Sequence, residues 1–346
     1  MRTEQSVGRK RNQAMEAFKL AASILVVFIH VQFPGMVGGV VVSLARTAVP
    51  TFFAISGFFS YQTRSDRLMK RLAHMVVLFI VAVAASAVAG SLTAACTGGD
   101  VVGYLRGFVP GTENLATMML LQDSSFPKTA YTWYLISAGI CYLVLSVYAA
   151  FWGEQKVDYR PLYLFSALLL AVNLLLAEMP RPLGGGVPYQ LQRNALLTGL
   201  PMFTLGIFLR EHRERIMKNF ALTDGKLLGL LALGAAMTLL QWKGVGMGEL
   251  PPGTVVQTVA LMLLLSAHPD LGCPCAAQLG AVSTVVYLLH FPLIGIYETF
   301  VLPVLPLGST AESWLRPVLV AAMSVAAGLL WLGIVRLVKR SVPEKK

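Results

Sequence analysis

Residues 16–30 read EAFKLAASILVVFIH. From Leu20 to Ile29 every side chain except that of Ser23 is apolar, yet a carboxylate, an ammonium and an imidazole sit on the same segment at Glu16, Lys19 and His30. Backbone groups in hydrocarbon have no water to bond, so a run of this kind is expected as a membrane α-helix. An ionisable side chain inside such a helix costs about 2.5–3.5 kcal/mol on insertion scales and normally faces a cavity or the interior of a bundle. Lys19 and His30 are eleven residues apart, which at 3.6 residues per turn is three turns with about 20° left over and about 16 Å of rise. Glu16, three residues before Lys19, falls on nearly the same stripe. Two readings fit this spacing. The stripe lines a transfer path, or Lys19 snorkels toward the surface with Glu16 beside it while His30 bonds a neighbouring helix.

The rest of the chain has the same character. Of its 346 residues 56% are hydrophobic and 13% charged, and the mean hydropathy is +0.67, outside the range of soluble globular domains. The fold expected is all-α: a polytopic membrane protein forming one domain over residues 1–346. Apolar runs of about 17–25 residues predict about ten transmembrane helices, at 17–34, 38–60, 72–94, 131–152, 161–178, 194–210, 226–242, 253–268, 277–299 and 315–338. The first is expected to be retained, since no short apolar core with a cleavage site precedes it. Residues 95–130 form the long connection, within which 101–109 and 115–121 are apolar enough to lie on the bilayer.

Lysine and arginine set the orientation. With the N-terminus in the cytoplasm, the termini and even-numbered loops carry 20 of the 28 basic residues. Both termini are therefore expected to be cytoplasmic, with 1–16 as the N-terminal segment and 339–346 as the tail. This inside bias accounts for the net charge of +11, and no nucleic-acid partner is expected. Cys273 and Cys275 fall in a predicted cytoplasmic turn, CPC, where the compartment disfavours a disulfide. No metal-ligand constellation is apparent.

Four further segments stand in order and at suitable spacing after the E-x-x-K-x10-H pattern: AVPTFFAISGFF (Ala48 to Phe59), TWYLIS (Thr132 to Ser137), RNALLTGLPMFTLG (Arg193 to Gly206) and STVVYLLHFPL (Ser283 to Leu293). Together they resemble the integral-membrane acyltransferase-3 family over nearly the whole chain. The membrane half of the vancomycin-resistance serine racemases is similar, though no racemase domain is found in this sequence. The resemblance implies a ten-helix domain in the plasma or inner membrane of a bacterial cell. It also implies transfer of an acyl group, commonly acetyl, from acyl-coenzyme A to a hydroxyl of a cell-envelope glycan or lipid-linked sugar. No permanently bound cofactor is implied, and acyl-coenzyme A is a substrate. The family's first span carries an arginine where Lys19 stands, so charge is kept and the bidentate fork is lost.

On that resemblance, His30 is the candidate base for a sugar hydroxyl, or the carrier of a transient acyl group. Glu16, about 20 Å from it along a regular helix, holds Lys19 rather than orienting the imidazole. Coenzyme A is polyanionic, so donor binding is assigned to Lys19 with Arg64, Arg67, Lys70 and Arg71 in the turn RSDRLMKRLAH, where Arg71 and His74 offer a second basic pair. Acceptor or intermediate binding is assigned to Ser56, Trp133, Tyr134, Arg193 and His290. All but His290 have a plainer alternative: helix packing for Ser56, an interfacial aromatic belt for Trp133 and Tyr134, interfacial charge for Arg193. A small-solute transporter, of serine for instance, or a membrane protein of the same fold without catalysis, are the competing function classes. Neither internal repeats nor interrupted helices in corresponding halves favour the transporter.

Overall fold

The computed structural model describes residues 12–109, 111–126, 128–178, 188–272, 275–306 and 308–341. Most of the expected N-terminal segment and tail, together with Cys273, lie outside them. Among the described residues the chain is helical and contains no strand.

All ten predicted runs are helical. They correspond to α1 (Gln13–His30), α2 and α3 (Gly35–Ala45 and Ala48–Phe58), α4 (Ser65–Cys96), α7 (Trp133–Ala150), α8 (Arg160–Asn173), α10 (Leu200–Asn219), α11 (Asp224–Val245), α12 (Pro252–Ala267), α13 (Ala276–Ile296) and α14 (Ser309–Ser341). Short helices α5 (Val101–Arg106) and α6 (Thr112–Leu121) occupy the long connection, and α9 (Tyr189–Gln192) precedes the sixth run. Eight of the segments are long and apolar enough to cross a membrane. The other two runs differ for physical reasons. Helix α10 ends in the charged stretch REHRERIMK, and α12 has only 16 residues.

Several of these helices depart from regularity. The second run is broken into α2 and α3 at Arg46 and Thr47. Helix α13 contains Pro292 and passes into a π-helical turn at Tyr297–Val301.

Helix α1 packs against α13, which also packs against α14 and α4; α3 packs against α10, and α4 against α7. One core cluster joins Phe53, Tyr142, Leu145, Phe203 and Ile207 of α3, α7 and α10. Another joins Val27, Val282, Val286 and Val320 of α1, α13 and α14. The α3–α10 contact is a backbone contact: a Cβ on Gly57 would lie 1.8 Å from the Phe203 carbonyl oxygen, and one on Gly206 1.9 Å from that of Ala54. The Ser-Gly pair of the second run thus serves close packing at its glycine. Gly206→Val is expected to destabilise the protein by about 1–3 kcal/mol, the usual scale of overpacking. Gly229, whose Cβ would meet nothing within 4 Å, is the control in denaturant unfolding of the solubilised protein, and equal losses at the two sites would refute the contact.

The predicted cytoplasmic loops gather at one end. Gln13 N donates to Pro269 O at 2.7 Å and Asn12 Nδ2 to Leu265 O at 2.9 Å. Arg213 Nη1 donates to Ser266 O at 2.6 Å, while Tyr163 Oη and Tyr61 Oη both donate to the Glu211 carboxylate. Helix α14 begins at the other end, with Trp314 6.3 Å from Phe33 between ring centroids. Cys275 is disulfide-bonded, which corrects the expectation of reduced thiols in the CPC turn. A compartment sets whether oxidant is available; closure depends on a second sulfur within bonding distance.

Candidate active site

The polar stripe of α1 opens into two cavities, one at each end. Lys19 lines the first, of about 320 Å³, with Ser56, Phe59, Arg71, His74, Tyr134 and Tyr287. His30 lines the second, of about 60 Å³, with Arg46, Trp133, Arg193, Glu249 and again Tyr287. Tyr287 therefore stands between the two, its hydroxyl fixed by donation to the Tyr131 carbonyl at 2.7 Å.

In the larger cavity Lys19 Nζ lies 3.0 Å from Glu16 Oε1. Glu16 is seated against Gly280 of α13, where a Cβ would lie 1.8 Å from its Oε2. Ser283 Oγ donates to the Lys19 carbonyl at 2.8 Å, so α13 holds this turn of α1 at two points. Arg71 is aimed inward by donation to Ser60 Oγ at 2.7 Å and to the Phe59 carbonyl at 3.1 Å. Deeper in, Ser56 Oγ and Tyr134 Oη are 3.4 Å apart. The structure brings Lys19, Arg71, Ser56 and Tyr134 together but leaves three of the predicted donor residues elsewhere. Arg64, Arg67 and Lys70 are exposed outside this cavity, and Arg64 pairs with Asp66 at 3.5 Å. Five residues in sequence, RLMKR, cannot all face one way on a helix.

The smaller cavity holds a cluster that the sequence reading did not single out. The Glu249 carboxylate accepts from Arg46 Nη1 at 2.8 Å and from Arg193 through Nη2, also at 2.8 Å, and Nε. Glu178 fixes the loop that carries it: its Oε1 accepts from the backbone N–H groups of Glu249 and Leu250 at 3.0 and 3.1 Å. Arg193 is positioned from its own side too. Asn194 caps the following turn through bonds from the N–H groups of Leu196 and Leu197 at 2.9 and 2.8 Å, so the RN pair supplies one charge and one cap. Trp133 and Tyr134, adjacent in sequence, face different cavities, as neighbours about 100° apart on a helix do. His290 lies behind His30, fully buried, with ring centroids 5.2 Å apart.

Arg46 was legible in one respect. It lies inside an apolar run, where an arginine marks a buried charge in need of a partner. Nothing local identifies that partner, which is 203 residues away.

Chemically, the larger cavity offers two cationic side chains and a histidine at the end where the basic loops gather. The smaller presents an imidazole, exposed toward the cavity, beside an arginine-carboxylate-arginine bridge. A family model described as an acyltransferase domain matches residues 12–335. Comparison with curated proteins and with solved structures gave no match.

Proposed function

The chain belongs to the acyltransferase-3 family, and on that premise we propose that it moves an acyl group, acetyl in the simplest case, from cytoplasmic acyl-coenzyme A to a hydroxyl of an envelope glycan or lipid-linked sugar. The membrane is the plasma or inner membrane of a bacterial cell, with both termini in the cytoplasm. One observation carries the reading: a basic cavity at the end of the basic loops and a histidine cavity beyond it share the wall residue Tyr287. Donor and acceptor can thus approach one another from opposite ends along α1.

In this reading Lys19 and Arg71 bind the coenzyme A phosphates, with His74 at the same cavity. The thioester arm lies past Ser56 and Tyr134 toward Tyr287. His30 takes the proton of the acceptor hydroxyl, which is a poor nucleophile at neutral pH without a base in hydrogen-bond reach. Trp133 and Arg193 meet the acceptor in the outer cavity. The test is transfer of labelled acetyl from acetyl-coenzyme A by the purified protein in liposomes, with serine uptake measured on the same preparation. Ester-linked product is expected; uptake without transfer from any supplied acyl-coenzyme A would replace this reading with the transporter.

Arg71 and Arg67 separate a donor dock from topology charge. Arg71→Gln is expected to raise the apparent KM for acyl-coenzyme A more than it lowers kcat, the pattern of lost ground-state binding. Arg67→Gln, which removes the same charge from an exposed position, is expected to leave KM within about twofold because exposed charges are screened. Lys19→Arg is expected to keep donor affinity and Lys19→Met to lose it. Equal KM values across these variants would remove the dock from this cavity.

A further inference from the structure

His290 has a polar atom that nothing satisfies. The side chain is fully buried, and its Nδ1 lies 2.8 Å from the Tyr287 carbonyl oxygen. A carbonyl only accepts, so Nδ1 carries the proton, and in the neutral ring Nε2 is then an acceptor. That Nε2 is buried without a partner. Buried polar atoms are overwhelmingly paired, and an unpaired one marks a place where a donor arrives during function or costs stability for nothing.

Among the described residues whose rings contact that of His290, one donor is left. Tyr131 is 5.1 Å away between ring centroids and Tyr287 6.0 Å. Both hydroxyls are already committed, Tyr131 Oη to the Leu288 carbonyl at 3.0 Å and Tyr287 Oη to the Tyr131 carbonyl at 2.7 Å. Phe291, which stacks on Tyr131, has no donor. His30 remains, with its ring centroid 5.2 Å from that of His290 at an interplanar angle of 40°.

We propose that His290 is the positioning residue for His30: an N–H of His30 donates to His290 Nε2, which fixes the His30 tautomer and leaves its other ring nitrogen unprotonated toward the outer cavity. This rests on the acyl-transfer reading above. A base imidazole needs its far nitrogen held, because the bond made there decides which nitrogen is free to accept. Glu16 stands too far along α1 to hold it; His290 is in place and has its own tautomer set by a backbone carbonyl. During transfer the acceptor O–H bond breaks as its proton moves to the free nitrogen of His30, the oxygen bonds to the acyl carbon, and the carbon–sulfur bond breaks. Coenzyme A leaves as thiolate and takes the proton from His30 to become the thiol. His290 stays neutral and accepts from the His30 imidazolium while that proton resides there.

Two measurements test the pair. Nitrogen-15 spectra of histidine-labelled protein in nanodiscs are expected to show His290 protonated at Nδ1 and unprotonated at Nε2, with the Nε2 resonance shifted by His30→Ala. A ring protonated at Nε2, or an Nε2 resonance indifferent to His30→Ala, overturns the proposal. In liposome assays His290→Leu, which fills the site without an acceptor, is expected to lower kcat about 10–100-fold, the scale on which partners of a functional histidine act. His290→Gln, which returns an acceptor oxygen near the position of Nε2, is expected to recover most of that loss, with the donor KM unchanged in both. Equal losses in the two variants would make His290 a packing residue and overturn the proposal, as would wild-type rates in both. Should wild-type protein transfer no acyl group at all, the acyl-transfer reading fails, and the spectra still decide whether the two histidines are bonded.

Discussion

His30→Ala is expected to remove acyl transfer by purified protein in liposomes, with the rate falling about 10²–10⁴-fold, the contribution usual for a positioned base. Insertion and acyl-coenzyme A binding are expected to survive, because the donor cavity is lined at Lys19, three turns away along α1 from the substituted residue, and at Arg71 and His74 of α4. The change deletes an imidazole that is exposed toward its cavity rather than packed in the core, so loss of buried contacts does not account for the effect. Donor affinity and turnover are to be measured on the same preparation. Wild-type turnover in His30→Ala would sink the mechanism, and loss of donor binding together with turnover would place His30 in the donor site instead.

The helices were legible because hydrocarbon imposes a length and a composition on any segment that crosses it, and all ten runs found by that criterion are helical. The stripe of Glu16, Lys19 and His30 was legible for a related reason. A regular helix converts spacing directly into a shared face, and Lys19 and His30 do open into the two cavities that meet at Tyr287. Direction around α4 was harder. The sequence shows a basic cluster at its start, but which member turns inward depends on the neighbouring helix, and Arg71 does so because Ser60 and Phe59 of the preceding turn receive it. Tyr287 could not be distinguished from other aromatic residues of an apolar helix until α1, α7 and α13 were assembled around it. Glu249 was hidden most completely. It sits in a short loop that reads as an ordinary connection, and its meaning comes from two arginines distant in sequence.

That carboxylate is also where the largest loss of stability is expected. Glu249 is 12% exposed and is shared by Arg46 at 15% and Arg193 at 29%. Removing one member of a buried ionic group leaves uncompensated charge, which typically costs about 3–5 kcal/mol. Here Glu249→Leu leaves two guanidiniums facing each other in the outer cavity, so the upper part of that range is expected in equilibrium unfolding of the solubilised protein. Glu249→Gln keeps the shape and one acceptor oxygen, but its amide group confronts an arginine donor, and an intermediate loss is expected. The double variant Glu249→Leu with Arg46→Leu separates repulsion from packing. Deleting one of the two cations relieves the repulsion that the first change creates, so the double variant is expected to lose less than the sum of the single changes, a coupling that distant sites do not show. Losses that add, or a Glu249→Leu protein within about 1 kcal/mol of wild type, would mean that solvent already screens the bridge as it does exposed pairs. In that case the two arginines would be free to meet an acceptor without first releasing Glu249, and the outer cavity would offer two separate cations instead of a bridged pair.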